Sequence, residues 1–313
     1  MKGIELCEKF YIEFGKPMLN TQFADVEKYL AIGLVGSGSE CMGFDDDISH
    51  DHDFEPGFCI FLPDENVVDT KTEFELERAY AKLPEEYLGF KRCKQSPVGG
   101  NRHGVIRISD FFKNKVGDKN ADISSEGWFC IDEQFLIETT NGKLFCDNYG
   151  LMTDLRNKLA YLPQDVRLKK LAGNVLLMAQ SGQYNYFRCI KRNETAAAQL
   201  AIGEFVNATL KVIFLLNRKY MPYYKWSFRA LSELQLLSDL YSDLELLISS
   251  GNKESDFIVK KQAIEKISAK VVNVLKDQKL SNSNSIYLEN HAYSVNNCIK
   301  DANIRNLNIL YAV

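Results

Sequence analysis

The chain lacks a C-x-x-C pair, a large surplus of either charge, an apolar run of membrane-spanning length and any visible internal repeat. Its eight cysteines, at 7, 41, 59, 93, 130, 146, 189 and 298, are scattered, so the spacing of a zinc ribbon or a thioredoxin-type redox pair is missing. Most sit in apolar stretches such as Phe58-Cys59-Ile60-Phe61, which predicts buried free thiols in a reducing compartment. With 38 basic against 42 acidic side chains and a net charge of −4, no general electrostatic grip on nucleic acid is expected; a local basic patch stays open. The best membrane candidate, Val212-Ile213-Phe214-Leu215-Leu216, is soon closed by Asn217-Arg218-Lys219. Residues Met1 to Glu8 carry acids where a signal peptide needs an apolar run. The expectation is a soluble, cytoplasmic protein without membrane contact.

The 313 residues, 45% apolar and 26% charged, suit one large globular domain or two. The two halves differ in pattern. Up to about residue 150, short apolar runs are broken by Gly, Pro and Asp. Leu30 to Val35, Phe58 to Leu62, Val105 to Ile108 and Lys143 to Cys146 read as strands, the last entered by an Asn141-Gly142 turn. Thr72-Glu73-Phe74-Glu75 reads as a capping box opening a helix that runs to about Leu83. From about Thr153 the period is helical, over Gln164 to Gln180, Glu194 to Asn217, Phe228 to Ser249 and Ser255 to Lys276. The polar stretch Leu280 to Ser285 reads as a loop before a last helix. The expected class is α+β, with a mixed-sheet domain over residues 1–150 and a helical bundle over 151–313.

The chemistry concentrates in Gly36-Ser37-Gly38-Ser39-Glu40 and the following Gly43-Phe44-Asp45-Asp46-Asp47-Ile48-Ser49-His50-Asp51-His52-Asp53. Small residues at a strand end let the backbone approach a ligand, and several N–H groups can face one anion. In an extended strand Asp51 and Asp53 project from one face and repel unless a divalent cation lies between them. Such oxygen donors suit Mg²⁺ or Mn²⁺, which take the rest of their shell from water and phosphate. A phosphate cradle beside a carboxylate-held metal is equipment for phosphoryl or nucleotidyl transfer. Read separately, the Gly-Ser run is a plain loop and the Asp run a solvated face; together, after a strand, they point to a site.

Other metal readings fail on spacing. EF-hand loops begun at Asp45, Asp47 or Asp51 lack Gly at the sixth position and Glu at the twelfth. No Gly-Lys-Ser/Thr of a Walker A loop occurs. His50, His52 and His103 raise a zinc site, including a His-Asp phosphohydrolase, but no Cys is spaced to complete it. These imidazoles are expected to hydrogen-bond around the aspartates.

Gly36-Ser37, thirteen residues, then Asp51-x-Asp53 resembles the signature of the DNA polymerase beta superfamily of nucleotidyltransferases, which includes the aminoglycoside- and lincosamide-modifying enzymes. The fuller string from Gly36 to Asp53 is similar to that of an uncharacterised bacterial family of that superfamily. The likeness extends through Gly127-Trp128, Pro163-Gln164-Asp165 and Leu216 to Trp226. It implies a small mixed sheet with helices and then a helical domain that helps close over the nucleotide. It also implies Gly36 and Ser37 on the phosphates and Asp51 and Asp53 on the metals. Superfamily members usually add a third carboxylate from a later strand. Here that strand, Val105 to Asp110, has Ile and Arg at its middle, leaving Asp110 as the nearest acid and Glu138 and Asp147 as others.

In the second half Lys225 lies among Tyr223, Tyr224 and Trp226; it could reach a triphosphate, or be a surface lysine in an aromatic turn. Arg188 and Arg192 are weaker candidates, and Trp128 reads as structural. The expected activity is transfer of a nucleoside monophosphate, AMP from ATP, to a hydroxyl of a small molecule or protein, RNA being disfavoured by the acidic balance. Asp51 and Asp53 would hold the metal, and Gly36, Ser37, Gly38 and Ser39 the triphosphate. The alternatives are a non-catalytic nucleotide-binding module of the same fold and a partner protein whose acidic loop is only solvated.

Overall fold

A computed structural model describes residues 1–51, 54–92 and 102–313. Packing divides the chain into two units, Met1–Ala160 and Tyr161–Val313. The class is α+β: a small mixed sheet with helices in the first unit, helices throughout the second.

In the first unit, helices α1 (Gly3–Phe10), α2 (Lys16–Gln22) and α3 (Ala24–Glu27) lead into strand β1 (Ala31–Leu34). The short helix α4 (Ser39–Met42) and a 3₁₀ turn, Asp47–Asp51, precede β2 (Cys59–Leu62). Then come α5 (Thr70–Ala81), the hairpin β3 (Glu86–Tyr87) and β4 (Phe90–Lys91), β5 (Gly104–Arg107), α6 (Ile108–Val116), α7 (Gly127–Cys130), α8 (Glu133–Thr140), β6 (Lys143–Asp147) and α9 (Leu151–Lys158). The main sheet has the order β5-β2-β1-β6. β1 is antiparallel to β2 and β6, while β2 and β5 run parallel. The central strands β1 and β2 are buried throughout, which is why their sequences are unbroken apolar runs rather than alternating ones. Phe10, Leu19, Leu30, Ile60 and Leu76 form the core where α1, α2 and α5 meet the sheet.

Several expectations need correcting. The α5 cap is Asp69, whose carboxylate accepts from Thr72 N at 2.8 Å, so the helix begins before the expected Thr72 box. The strand expected to reach Asp110 stops at Arg107, and Asp110 is exposed in the first turn of α6. Arg107, standing where an acid was sought, is buried: its guanidinium donates to Pro63 O and Val68 O and pairs with Glu73 at 2.6 Å. Of the cysteines, 7, 41 and 59 are buried, 146 and 189 half-buried, and Cys130 and Cys298 exposed; none of these is in a disulfide. The buried-thiol expectation therefore holds for only part of the set.

The second unit contains α10 (Gln164–Met178), a π-helical turn (Ala179–Tyr186), α11 (Phe187–Lys191), α12 (Thr195–Leu216), α13 (Tyr224–Leu231), α14 (Tyr241–Ser249), α15 (Glu254–Asp277), α16 (Leu288–Asn297) and α17 (Ala302–Asn306). Against the expectation of no such segment, α12 is long and apolar enough to cross a membrane; most of it is buried against neighbouring helices, as befits a core helix. The expected helix from Phe228 to Ser249 is two helices. Between them the Asn217 side chain accepts from Leu236 N and donates to Leu236 O, both at 2.9 Å, and Leu237 turns left-handed at φ +65°. Two fully buried lysines are satisfied by neutral oxygens. Lys169 donates to Asn296 Oδ1, Arg305 O and Leu307 O, and Lys260 to Gln199 Oε1, Ser250 O and Asn252 Oδ1.

Candidate functional site

Strand directions fix which loops meet. Gly33 pairs with Cys59, Cys59 with Gly104, and Leu34 with Lys143. The end of β1 therefore shares one end of the sheet with the starts of β2, β5 and β6. The Gly36–Ser39 turn leaves β1 there, and the chain that follows the Asp47–Asp51 turn enters β2 from the same end. Asp51 itself closes the 3₁₀ turn Asp47–Asp51 rather than lying in an extended strand, so the one-pleat argument does not apply to it. His52 and Asp53 lie outside the described residues.

The neighbouring aspartates have separate tasks. Asp45 is buried and accepts from Gly3 N at 2.8 Å, with Lys2 Nζ 3.4 Å from its other oxygen, so it fastens the start of α1. Asp46 Oδ1 accepts from Ile48 N, Ser49 N and Ser49 Oγ, shaping the 3₁₀ turn.

The Gly-Ser turn is braced on both sides. Asn141, between α8 and β6, accepts from Gly36 N at 3.0 Å and donates to Gly36 O at 2.7 Å. Gly36 N–H is thus committed to the protein rather than to a ligand. Gly142 follows at φ +63°, and a Cβ there would collide with Leu34 O. Arg156 donates to Thr140 O and Asn141 O from behind, at 2.8 and 2.7 Å. On the other side Arg102 Nη2 donates to Ser37 O at 3.0 Å and pairs with Glu40. The N–H groups of Ser37, Gly38 and Ser39 and both Ser hydroxyls have no hydrogen-bond partner among the described residues. Ser37 is exposed, and Gly38 and Ser39 are partly so.

His103 Nδ1 lies 3.1 Å from Glu55 Oε1, and its Nε2 is buried with no hydrogen-bond partner among the described residues. Two buried thiols hold this region from beneath: Cys59 donates to Arg102 O at 3.2 Å and Cys7 to Glu55 O at 3.5 Å. Burial pushes both thiols up to about 12.

The candidate third acids separate by position. Asp110 follows the far end of β5, and Asp147 pairs with Ala31 at the far end of β1, so neither lies at the turn. A four-residue strand puts roughly 10 Å between its end residues. Asp147 also caps α9, accepting from Gly150 N and Thr153 N at 3.0 and 2.7 Å. Glu138, in the last turn of α8 just before Asn141, is buried and held by Lys115 and by Gln134 Nε2. Sequence reasoning did not single out Arg102, gave Glu40 no role beyond its place in the Gly36–Glu40 string, and read Asn141 only as part of a turn. Among the described residues, no three of His, Cys, Asp and Glu cluster as a metal site.

Residues 128–227 match the family described as "Domain of unknown function (DUF4037)". The match covers about a third of the chain, from Trp128 on α7 to Ser227 on α13, and leaves the Gly-Ser turn outside it. Neither curated proteins nor solved structures give a match to the chain. Within the matched span Trp128 is buried, and Lys225 is exposed with Nζ 4.4 Å from the centre of the Trp226 ring. Arg188 and Arg192 are exposed on and after α11, Arg188 lying over the Tyr184 ring.

Proposed function

We propose that the chain is a metal-dependent nucleotidyltransferase that moves a nucleoside monophosphate, AMP from ATP, to a hydroxyl on a small molecule or a protein. What supports the reading is the row of uncommitted N–H groups at Ser37, Gly38 and Ser39, at the sheet end where the chain enters β2 from Asp51-x-Asp53. Three uncommitted amides on a braced, partly exposed turn suit the oxygens of a polyphosphate. The resemblance of the string from Gly36 to Asp53 to the DNA polymerase beta superfamily supports the same chemistry.

Asp51 and Asp53 would hold Mg²⁺ or Mn²⁺ as hard oxygen donors, and the ion would offset charge on the triphosphate. The chain's own part is to hold the triphosphate on the Ser37–Ser39 amides while the acceptor is aligned. The acceptor oxygen then bonds to the α-phosphorus, the bond from that phosphorus to the bridging oxygen breaks, pyrophosphate leaves, and the hydroxyl proton passes to solvent water.

A second reading, a nucleotide-binding module without turnover, draws on one observation. At this end of the sheet Glu40, Glu55 and Glu138 are each engaged, with Arg102, His103 and Lys115, and Asp110 is at the other end. The two readings part in one assay. The chain is incubated with Mg²⁺, α-labelled ATP and a metabolite pool, alongside Asp51→Ala and Asp53→Ala. Label transfer by the wild type, reduced by about 10²-fold or more in either variant, is the expected outcome. Saturable binding with no transfer favours the module.

A further inference from the structure

We propose that Arg102 is the cation that grips the polyphosphate at the Gly-Ser turn, and that Glu40 holds it in place until a polyphosphate displaces the carboxylate. The inference rests on the nucleotide-binding part of the proposed function and adds which charge selects the ligand. Arg102 precedes β5 and Glu40 sits in α4, immediately after the turn. The guanidinium donates to Ser37 O, on the same turn whose next amides are uncommitted. The side chains of Arg102 and Glu40 are 18% and 8% exposed, so the pair is largely withdrawn from water.

The turn is built around this pair. Gly38 has φ +120°, and a Cβ there would collide with the Arg102 guanidinium and the Glu40 carboxylate. The positive φ calls for glycine at this position, and the ion pair lies directly against its backbone. A guanidinium so placed offers the planar fork that suits phosphate oxygens.

Breaking a withdrawn ion pair leaves an uncompensated charge, so a ligand must return at least as much negative charge to Arg102 as Glu40 supplied. The single phosphate of AMP carries charge enough to replace the carboxylate but has too few oxygens to serve the guanidinium and the Ser37–Ser39 amides together, so it competes less well than a triphosphate, which can do both; adenosine does not compete. Glu40 thereby sets a threshold that favours ATP over AMP.

The test titrates adenosine, AMP, ADP and ATP, each with Mg²⁺, into the full chain by calorimetry. The proteins compared are wild type, Arg102→Gln, Arg102→Lys and Glu40→Gln, with folding checked by circular dichroism and thermal midpoint. Arg102→Gln is expected to lower ATP affinity about 10- to 100-fold while AMP affinity changes less than about threefold. Glu40→Gln is expected to raise AMP affinity more than ATP affinity, narrowing the preference. Arg102→Lys keeps the charge without the fork and should fall between wild type and Arg102→Gln. Equal losses for AMP and ATP in Arg102→Gln or Arg102→Lys, or a loss of ATP binding in Glu40→Gln, would make the pair a structural brace and overturn the proposal. Unchanged ATP binding in both Arg102 variants overturns it while leaving the nucleotide reading intact. A wild type that binds no nucleotide overturns both.

Discussion

Cys7 and Cys59 each donate to a backbone carbonyl beneath the turn, those of Glu55 and Arg102, and burial pushes both thiols from 9.0 up to about 12. In the unfolded chain they release their protons near the ordinary value, while the folded chain keeps them. Their contribution to stability is therefore whole below pH 9 and is lost as pH rises toward about 12. Urea unfolding followed from about pH 8 to about pH 10 should show a falling midpoint, and Cys59→Ala should flatten that fall while lowering the neutral-pH value. A midpoint that does not move would mean that these thiols ionise as freely folded as unfolded. At this scale the sequence is ambiguous because residue type does not show a partner. Asp45, Asp46 and Asp47 look alike in a row, yet one fastens α1, one shapes a 3₁₀ turn and one is exposed. Arg107 likewise reads as an intruder in a strand until its four hydrogen bonds to Pro63, Val68 and Glu73 are seen.

Among the elements, the Gly-Ser turn and the Asn141-Gly142 turn form one construction although 105 positions separate Gly36 from Asn141. Asn141→Ala leaves Gly36 N and O without their partner. The expected cost is about 1–3 kcal/mol in chemical denaturation, together with weaker Mg·ATP binding because the turn is no longer held. Loss of stability with unchanged nucleotide affinity would separate the turn's shape from the site. The β1, β2, β5 and β6 segments are legible because each is a short, largely apolar run near Gly, Pro or Asn, although only β1 and β2 are buried throughout. The break between α13 and α14 is not, because Leu231, Leu234, Leu237 and Leu240 keep a helical spacing through it. Asn217, from another helix end, supplies the backbone bonds that let the chain turn there. The Asp69 cap lies just before the residues whose pattern suggested a box, a local competition that propensity does not decide.

On the scale of the whole molecule, the change from strand-bearing to helical sequence is plain in its periodicity, and the chain packs as two units. Helix Leu151–Lys158, whose period matches the second half, packs with β6 and α8 in the first. What the linear sequence does not carry is direction. The parallel pairing of β2 with β5 sends Asp110 away from the turn and brings Arg102 to it, and no spacing rule for carboxylates contains that information. In the proposed function this end of the sheet is a polyphosphate site completed by the Asp51-x-Asp53 segment. Calorimetric titration of Mg·ATP into the full chain, beside Asp53→Ala and Gly38→Val, tests it most directly. Saturable binding that needs the divalent ion, is abolished by Asp53→Ala and is weakened by Gly38→Val is the predicted result. A wild-type chain that takes up no ATP with Mg²⁺ or Mn²⁺ would contradict it.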